Sequence, residues 1–156
     1  MNKLEDKKHE LVFQARMNII YHEKSEEIFS KFINWTAFIS VLFSSATIIA
    51  LIPWIENSKL LIAFFSIVVT CTNAGVLAFE MLHKIGMHSH LRKKWMEVLH
   101  LAQTIDTSHA EVENEIEKVE TELFKLNTEE PVQNSKRLKM AYELTCVSMG
   151  LKSLAK

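Results

Sequence analysis

The sequence predicts an all-α integral membrane protein: a two-span transmembrane helical hairpin with a cytoplasmic helical bundle, assembled as an oligomer. Three observations carry that expectation. Between Lys31 and Glu56 lie 24 residues without a charged side chain (FINWTAFISVLFSSATIIALIPWI), and after Glu56-Asn57-Ser58-Lys59 come 20 more, Leu60 to Phe79. About 20 apolar residues let a helix cross the hydrocarbon core of a bilayer, so each run is long enough to span. The short polar connection makes the two spans antiparallel neighbours. Next, the 156-residue chain holds only three Gly and two Pro, so few segments are barred from being helical. Finally, Lys and Arg are unevenly placed: Arg16, Lys24 and Lys31 precede the first run, Lys84, Arg92, Lys93 and Lys94 follow the second, and the turn holds only Lys59. Positive residues stay on the cytoplasmic side, which puts both termini inside and the turn outside. A 31-residue polar lead and so long an apolar run also argue against a cleaved signal peptide.

The expected organisation is an N-terminal cytoplasmic helix over 1–31, the hairpin over 32–79 with spans 32–55 and 60–79, and a cytoplasmic helical domain over 80–156. The overall 48% apolar content and net charge of −1 average a greasy hairpin with charged arms, and near-neutrality argues against a general nucleic-acid binder. Cys71 and Cys146 stand apart without a CxxC partner, so neither a disulfide nor a zinc framework is implied.

Taken in order, residues 4–31 contain no Gly or Pro and place Leu4, Leu11, Ala15, His22 and Phe29 on one weakly apolar helical face. A histidine there reads first as a packed, hydrogen-bonded side chain and second as a ligand or pH sensor. In the first span Thr36, Ser40, Ser44 and Thr47 form one stripe; in the second Ser66, Thr70 and Asn73 form another, overlapping a small-residue ridge of Ser66, Thr70, Ala74 and Ala78. Such stripes line a polar path for ions, or let helices approach closely and bond across their interface; a hairpin has faces enough for both. Trp35 and Trp54 sit near opposite ends of the first span, as interfacial anchors do, and Pro53 shapes its exit.

Beyond Phe79 the helix is expected to continue, with Leu77, Met81, Lys84, His88, Leu91, Trp95, Val98, Ala102 and Ile105 nearly a heptad seam and Gly86 the place for a bend. Ser108 and Glu111 have the spacing of a capping box as N-cap and N3. They introduce a helix with the seam Val112, Ile116, Val119, Leu123 and Leu126 and an acidic outer face of Glu111, Glu113, Glu115, Glu117, Glu120 and Glu122. Asn127 to Pro131 break it. A last helix from about Ser135 carries Met140, Leu144, Val147, Leu151 and Leu154 at the same spacing. Each seam requires cover, hence a bundle.

No HExxH, GxSxG, P-loop or dinucleotide fingerprint is present, and no nucleophile stands beside a base, so no catalytic residue, metal ligand or cofactor is expected and the chain reads as a non-enzyme. Glu80-Met-Leu-His83 and Glu97-Val-Leu-His100 have the ExxH form of di-iron bundles. On one helix they stand roughly 25 Å apart and do not converge. The clusters Arg92-Lys93-Lys94 and Lys136-Arg137-Lys139 are candidates for holding the phosphates of a nucleotide or lipid, or serve simply as solubilising charge.

A polar N-terminal helix with Ala15-Arg16 and Tyr21-His22, a tight two-span hairpin, a histidine-bearing helix and Glu130-Pro131 before a terminal helix follow one another along nearly the whole chain. This arrangement resembles the SLATT family, the two-transmembrane effectors found with SMODS nucleotidyltransferases and SLOG domains in bacterial conflict systems. The terminal helix reads Tyr142-Glu143-Leu144-Thr145-Cys146, where that family often carries an Asn-Glu pair. The resemblance implies a multi-pass effector of the bacterial inner (plasma) membrane, acting in antiviral defence by abortive infection. It would form an ion-conducting pore gated through its cytoplasmic helices by a nucleotide or oligonucleotide signal from a partner nucleotidyltransferase. A two-helix hairpin cannot enclose a channel, so the lipid-embedded chain must pair with copies of itself; a tetramer, with eight spans, is the expected homo-oligomer. The competing expectation is a membrane-anchored scaffold that recruits a cytoplasmic partner without conduction.

Overall fold

The computed structural model of the chain describes residues 3–50, 59–106 and 111–151, with side chains throughout except at 44–50, 59, 61, 62 and 78. Pro53, Trp54, the connection over 56–58, Ser108 and Leu154 lie outside the described residues, as do the side chains of Ser44 and Thr47. Every regular element described is an α-helix: α1 (Lys3–Ala50), α2 (Lys59–Ala78), α3 (Met81–Thr104), α4 (Val112–Glu129) and α5 (Ser135–Ser148). The chain is all-α, as its scarcity of Gly and Pro predicts. It divides into two compact units, Met1–Glu26 with Met87–Lys156, and Glu27–Gly86.

The first unit is a helical bundle around an apolar core. Its core takes Leu11, Val12 and Ala15 from α1, Leu91, Trp95, Val98 and Ala102 from α3, Ile105 just beyond it, and Val112, Ile116, Val119, Leu123 and Leu126 from α4. The α4 seam is the one predicted, residue for residue, and the α3 seam holds from His88 onward. Trp95 is fully buried. An indole of its size removes on the order of 200 Å² from water, which at about 25 cal/mol per Å² makes it the largest single contribution to this core. Outside the core, Lys7 pairs with Glu120 at 2.8 Å.

Three local expectations need correction. Glu111 occupies the N-cap of α4, not its third position, and its side chain makes no capping bond. The helix leaving the second run breaks at Phe79–Glu80 and not at Gly86, which lies inside α3. Glu80 adopts φ +48°, a left-handed conformation that a Cβ disfavours, and its N–H bonds Leu77 O at 3.1 Å. The last helix buries Ala141, Thr145 and Cys146, whereas the predicted seam of Met140, Leu144, Val147 and Leu151 is exposed. The end of α5 shows what Glu80 imitates: Gly150 at φ +68° lets Leu151 N–H reach Cys146 O at 2.8 Å, closing a Schellman cap with the no-Cβ residue that this geometry favours.

The second unit pairs the later part of α1 with α2. Phe43 stacks on Phe65 with ring centroids 4.9 Å apart, and Ser40 Oγ donates to Asn73 Oδ1 at 3.1 Å. Around these contacts the apolar side chains point outward: Phe38, Val41, Phe64, Ile67 and Leu77 are between 58% and 76% exposed. Among the described residues one helical stretch, beginning at Ala63, is long and apolar enough to cross a membrane by length and composition, and none of its apolar window is buried.

Candidate functional site: a buried histidine pair and its carboxylate

Within the helical unit α1 buries a face more polar than its sequence suggests. Ala15, Asn18, His22 and Ser25 recur at 3-4-3 spacing and are all fully or almost fully buried. Across from them, His88 and Trp95 stand on the buried face of α3, two turns apart. A third wall comes from the end of α4. Pro131 restricts the preceding residue to an extended conformation, and Glu130 obeys, at φ −65° and ψ 131°. The helix therefore ends, and the Glu130 carboxylate joins the cluster.

The hydrogen bonds fix the roles. Trp95 Nε1–H can only donate, and it lies 2.8 Å from Glu130 Oε1. His22 Nε2 is 2.7 Å from the same oxygen and donates as well. Gln133 Nε2–H reaches Glu130 Oε2 at 3.1 Å. The other nitrogen of His22, Nδ1, faces Nδ1 of His88 at 2.8 Å. Tyr21 stands edge-on to both imidazoles, with centroids 5.3 and 6.1 Å away, and its hydroxyl accepts Asn134 N–H at 3.0 Å. Asn134 in turn caps α5 by accepting the N–H groups of Lys136 and Arg137. Arg137 Nη1 donates to Ser25 Oγ at 3.1 Å. The cluster thus ties α1, α3, the α4–α5 connection and α5 to one another.

Its electrostatics are as specific as its geometry. Burial alone would push the Glu130 carboxyl up, but the donors from His22, Gln133 and Trp95 outweigh it and hold the group below the usual carboxylate range. His88 moves down to about 4, first because burial disfavours its cation, then because His22 and Arg137 raise the local potential; Glu130 opposes them. Asn18 Oδ1, on the same buried face of α1, has no hydrogen-bond partner among the described residues.

The residues singled out from sequence divide into several groups. Thr36 is buried and spends its hydroxyl on its own helix, at Phe32 O and Ile33 O. Ser40 and Asn73 meet; Ser66 and Thr70 are exposed, with Thr70 Oγ1 bonding Ser66 O at 2.8 Å. Of the six basic candidates, Arg92 pairs with Glu26 at 3.1 Å, Lys94 with Glu129 at 2.6 Å and Arg137 with Ser25, while Lys93, Lys136 and Lys139 are exposed. Neither basic trio presents all three charges outward. His22, expected first as a packed histidine, is that. Its partners escaped the sequence reading because they lie 66 and 108 residues away. The signal that could have found them is the α1 spacing itself, had Asn18 and Ser25 been accepted as buried. His83, Glu97 and His100 of the two ExxH motifs are exposed on α3, and among the described residues no three His, Cys, Asp or Glu side chains are arranged so that they could hold a metal ion.

No family model matches the chain, and no curated protein or solved structure matches it either.

Proposed function

We propose that the chain is a membrane effector of a bacterial defence system, with two transmembrane spans, that assembles around an axis into an ion-conducting pore controlled by its helical unit. The observation that carries the proposal is the polar stripe on an otherwise apolar hairpin. Ser66, Thr70 and Asn73 are exposed on a helix whose other outward residues suit lipid. Polar side chains facing hydrocarbon are costly, so this stripe calls for water or for the same stripe on neighbouring copies. The Ser40–Asn73 bond joins the predicted stripe of the first run to that of the second. Copies arranged with these faces inward enclose a hydroxyl- and amide-lined path, and the exposed seam of Met140, Leu144 and Val147 offers further surface for assembly. A nucleotide-type signal would act on the helical unit, where Lys93, Lys136 and Lys139 are the exposed basic candidates.

The test is current across planar bilayers from purified protein, with the mass of the solubilised complex measured alongside. Discrete conductance steps from a defined oligomer, abolished by Asn73→Leu with assembly intact, are the expected result. A monomer that stays silent would leave the competing reading, a tether that recruits a cytoplasmic partner. That reading draws support from hydroxyls satisfied within the chain, at Thr36 and Thr70.

A further inference from the structure

We propose that the His22–His88 pair is a proton-operated latch on the packing of α1 against α3 within the helical unit: it closes with one hydrogen between the two rings and releases when both rings become cations. The argument is stereochemical. Two Nδ1 atoms 2.8 Å apart have room for one hydrogen, so one ring donates and the other accepts. His22 Nε2 is committed to Glu130 as a donor. The closed pair therefore carries at most one charge: none when His88 donates from Nδ1 with its Nε2 bare, and one when either ring is an imidazolium donating to the other. A second cation would set two N–H groups against each other in a site fully closed to water on the His22 side and nearly so at His88.

The surrounding charges act in the same direction. From α5, Arg137 lies close enough to oppose a cation on His88, and His22 does so from α1. Glu130 is the carboxylate that favours positive charge, and its Oε1 is already shared by His22 and Trp95. Arg92 of α3 and Glu26 of α1 face each other at 3.1 Å one turn further along, adding no net charge as a pair. His88 freed from this site regains the ordinary histidine pKa near 6.5, so protons bind the released state better. Linkage then raises the released population by up to about tenfold per pH unit below that value for each proton that release takes up. As regulation of a pore this rests on the preceding proposal; as a property of the helical unit it does not.

The experiment uses full-length protein in detergent micelles, observed by amide hydrogen exchange between pH 7.5 and 5 with intrinsic rates divided out. Exchange in residues 11–26 and 87–102 is expected to accelerate as pH falls below about 6.5, by up to about tenfold per unit for each proton taken up, and to be nearly independent of pH in His88→Gln. Unchanged wild-type protection at pH 5, or the same acceleration in His88→Gln, overturns the latch whatever the conductance results show. Should that variant not fold, 15N spectra of histidine-labelled wild-type protein decide. One protonated and one bare Nδ1 at pH 7.5 sustain the proposal, and two bare Nδ1 atoms overturn it.

Discussion

The two units of this chain treat apolar side chains in opposite ways. The helical unit hides them, down to a fully buried Trp95, and clothes itself in Lys–Glu pairs. The Glu27–Gly86 unit turns phenylalanine, valine and isoleucine outward and keeps its hydroxyls and Asn73 in a stripe. One chain thus carries two differently composed surfaces. Polar groups are informative in each for a different reason. In the bundle those around His22 are buried and matched atom by atom; in the Glu27–Gly86 unit Thr36 is buried and bonded to its own helix, while Ser66, Thr70 and Asn73 are exposed.

The largest perturbation of the contrast is Trp95→Ala. It removes the biggest buried side chain together with the Nε1–H donor to Glu130, and should cost the helical unit about 3–5 kcal/mol. Phe64→Ala, at an outward position of the hairpin, should cost far less in micelles; urea or thermal unfolding followed by circular dichroism compares them. Glu130→Ala comes next, at about 3 kcal/mol, because three donors lose their acceptor inside the protein. The same measurement should show Glu130→Gln to be milder, since one acceptor oxygen remains.

A smaller effect is expected from pH alone. His88 is held at about 4 when folded against about 6.5 when unfolded, so its neutral form contributes full stability above 6.5, and that contribution declines as pH falls toward 4. Glu130 is depressed when folded, so its contribution is present above the ordinary carboxylate range and fades at still lower pH. Between pH 6.5 and 5 the histidine acts without the carboxylate, and wild type should lose about 1 kcal/mol there once solvent screening is allowed for. A Tm series should show His88→Gln with a flatter pH profile over that window. The smallest effect has the opposite sign. Glu80→Gly relieves a left-handed residue that carries a Cβ, and should stabilise the α2–α3 break by about 1 kcal/mol. Glu80→Ala, which keeps the Cβ, should not.

The seam of α4 was legible because valine, isoleucine and leucine at 4-3-4-3 spacing leave one way to be buried. The seam of α5 misled for a physical reason. Its buried face is built of Ala141, Thr145 and Cys146, and such small side chains allow an approach close enough for Arg137 to bond Ser25. Hydropathy ranks that face below the exposed methionine and leucines beside it. The cluster was half legible: His22 and Glu130-Pro131 stood out singly, and His88 fell on the right seam. What no local pattern conveys is that residues 22, 88 and 130 meet, because folding alone supplies contacts at such separations. The break at Glu80 was hidden too, since a glutamate in a left-handed cap leaves no compositional mark, whereas Gly150 announces itself.

The claim that the hairpin has one face for water and another for lipid can be measured by thiol accessibility. In a Cys71→Ala background in lipid vesicles, Asn73→Cys and Ile67→Cys place probes six residues apart on α2, about 120° around the helix. Rapid labelling by a membrane-impermeant thiol reagent is expected at position 73 and none at position 67. Labelling at 67 with none at 73, or equal labelling at both, would contradict it.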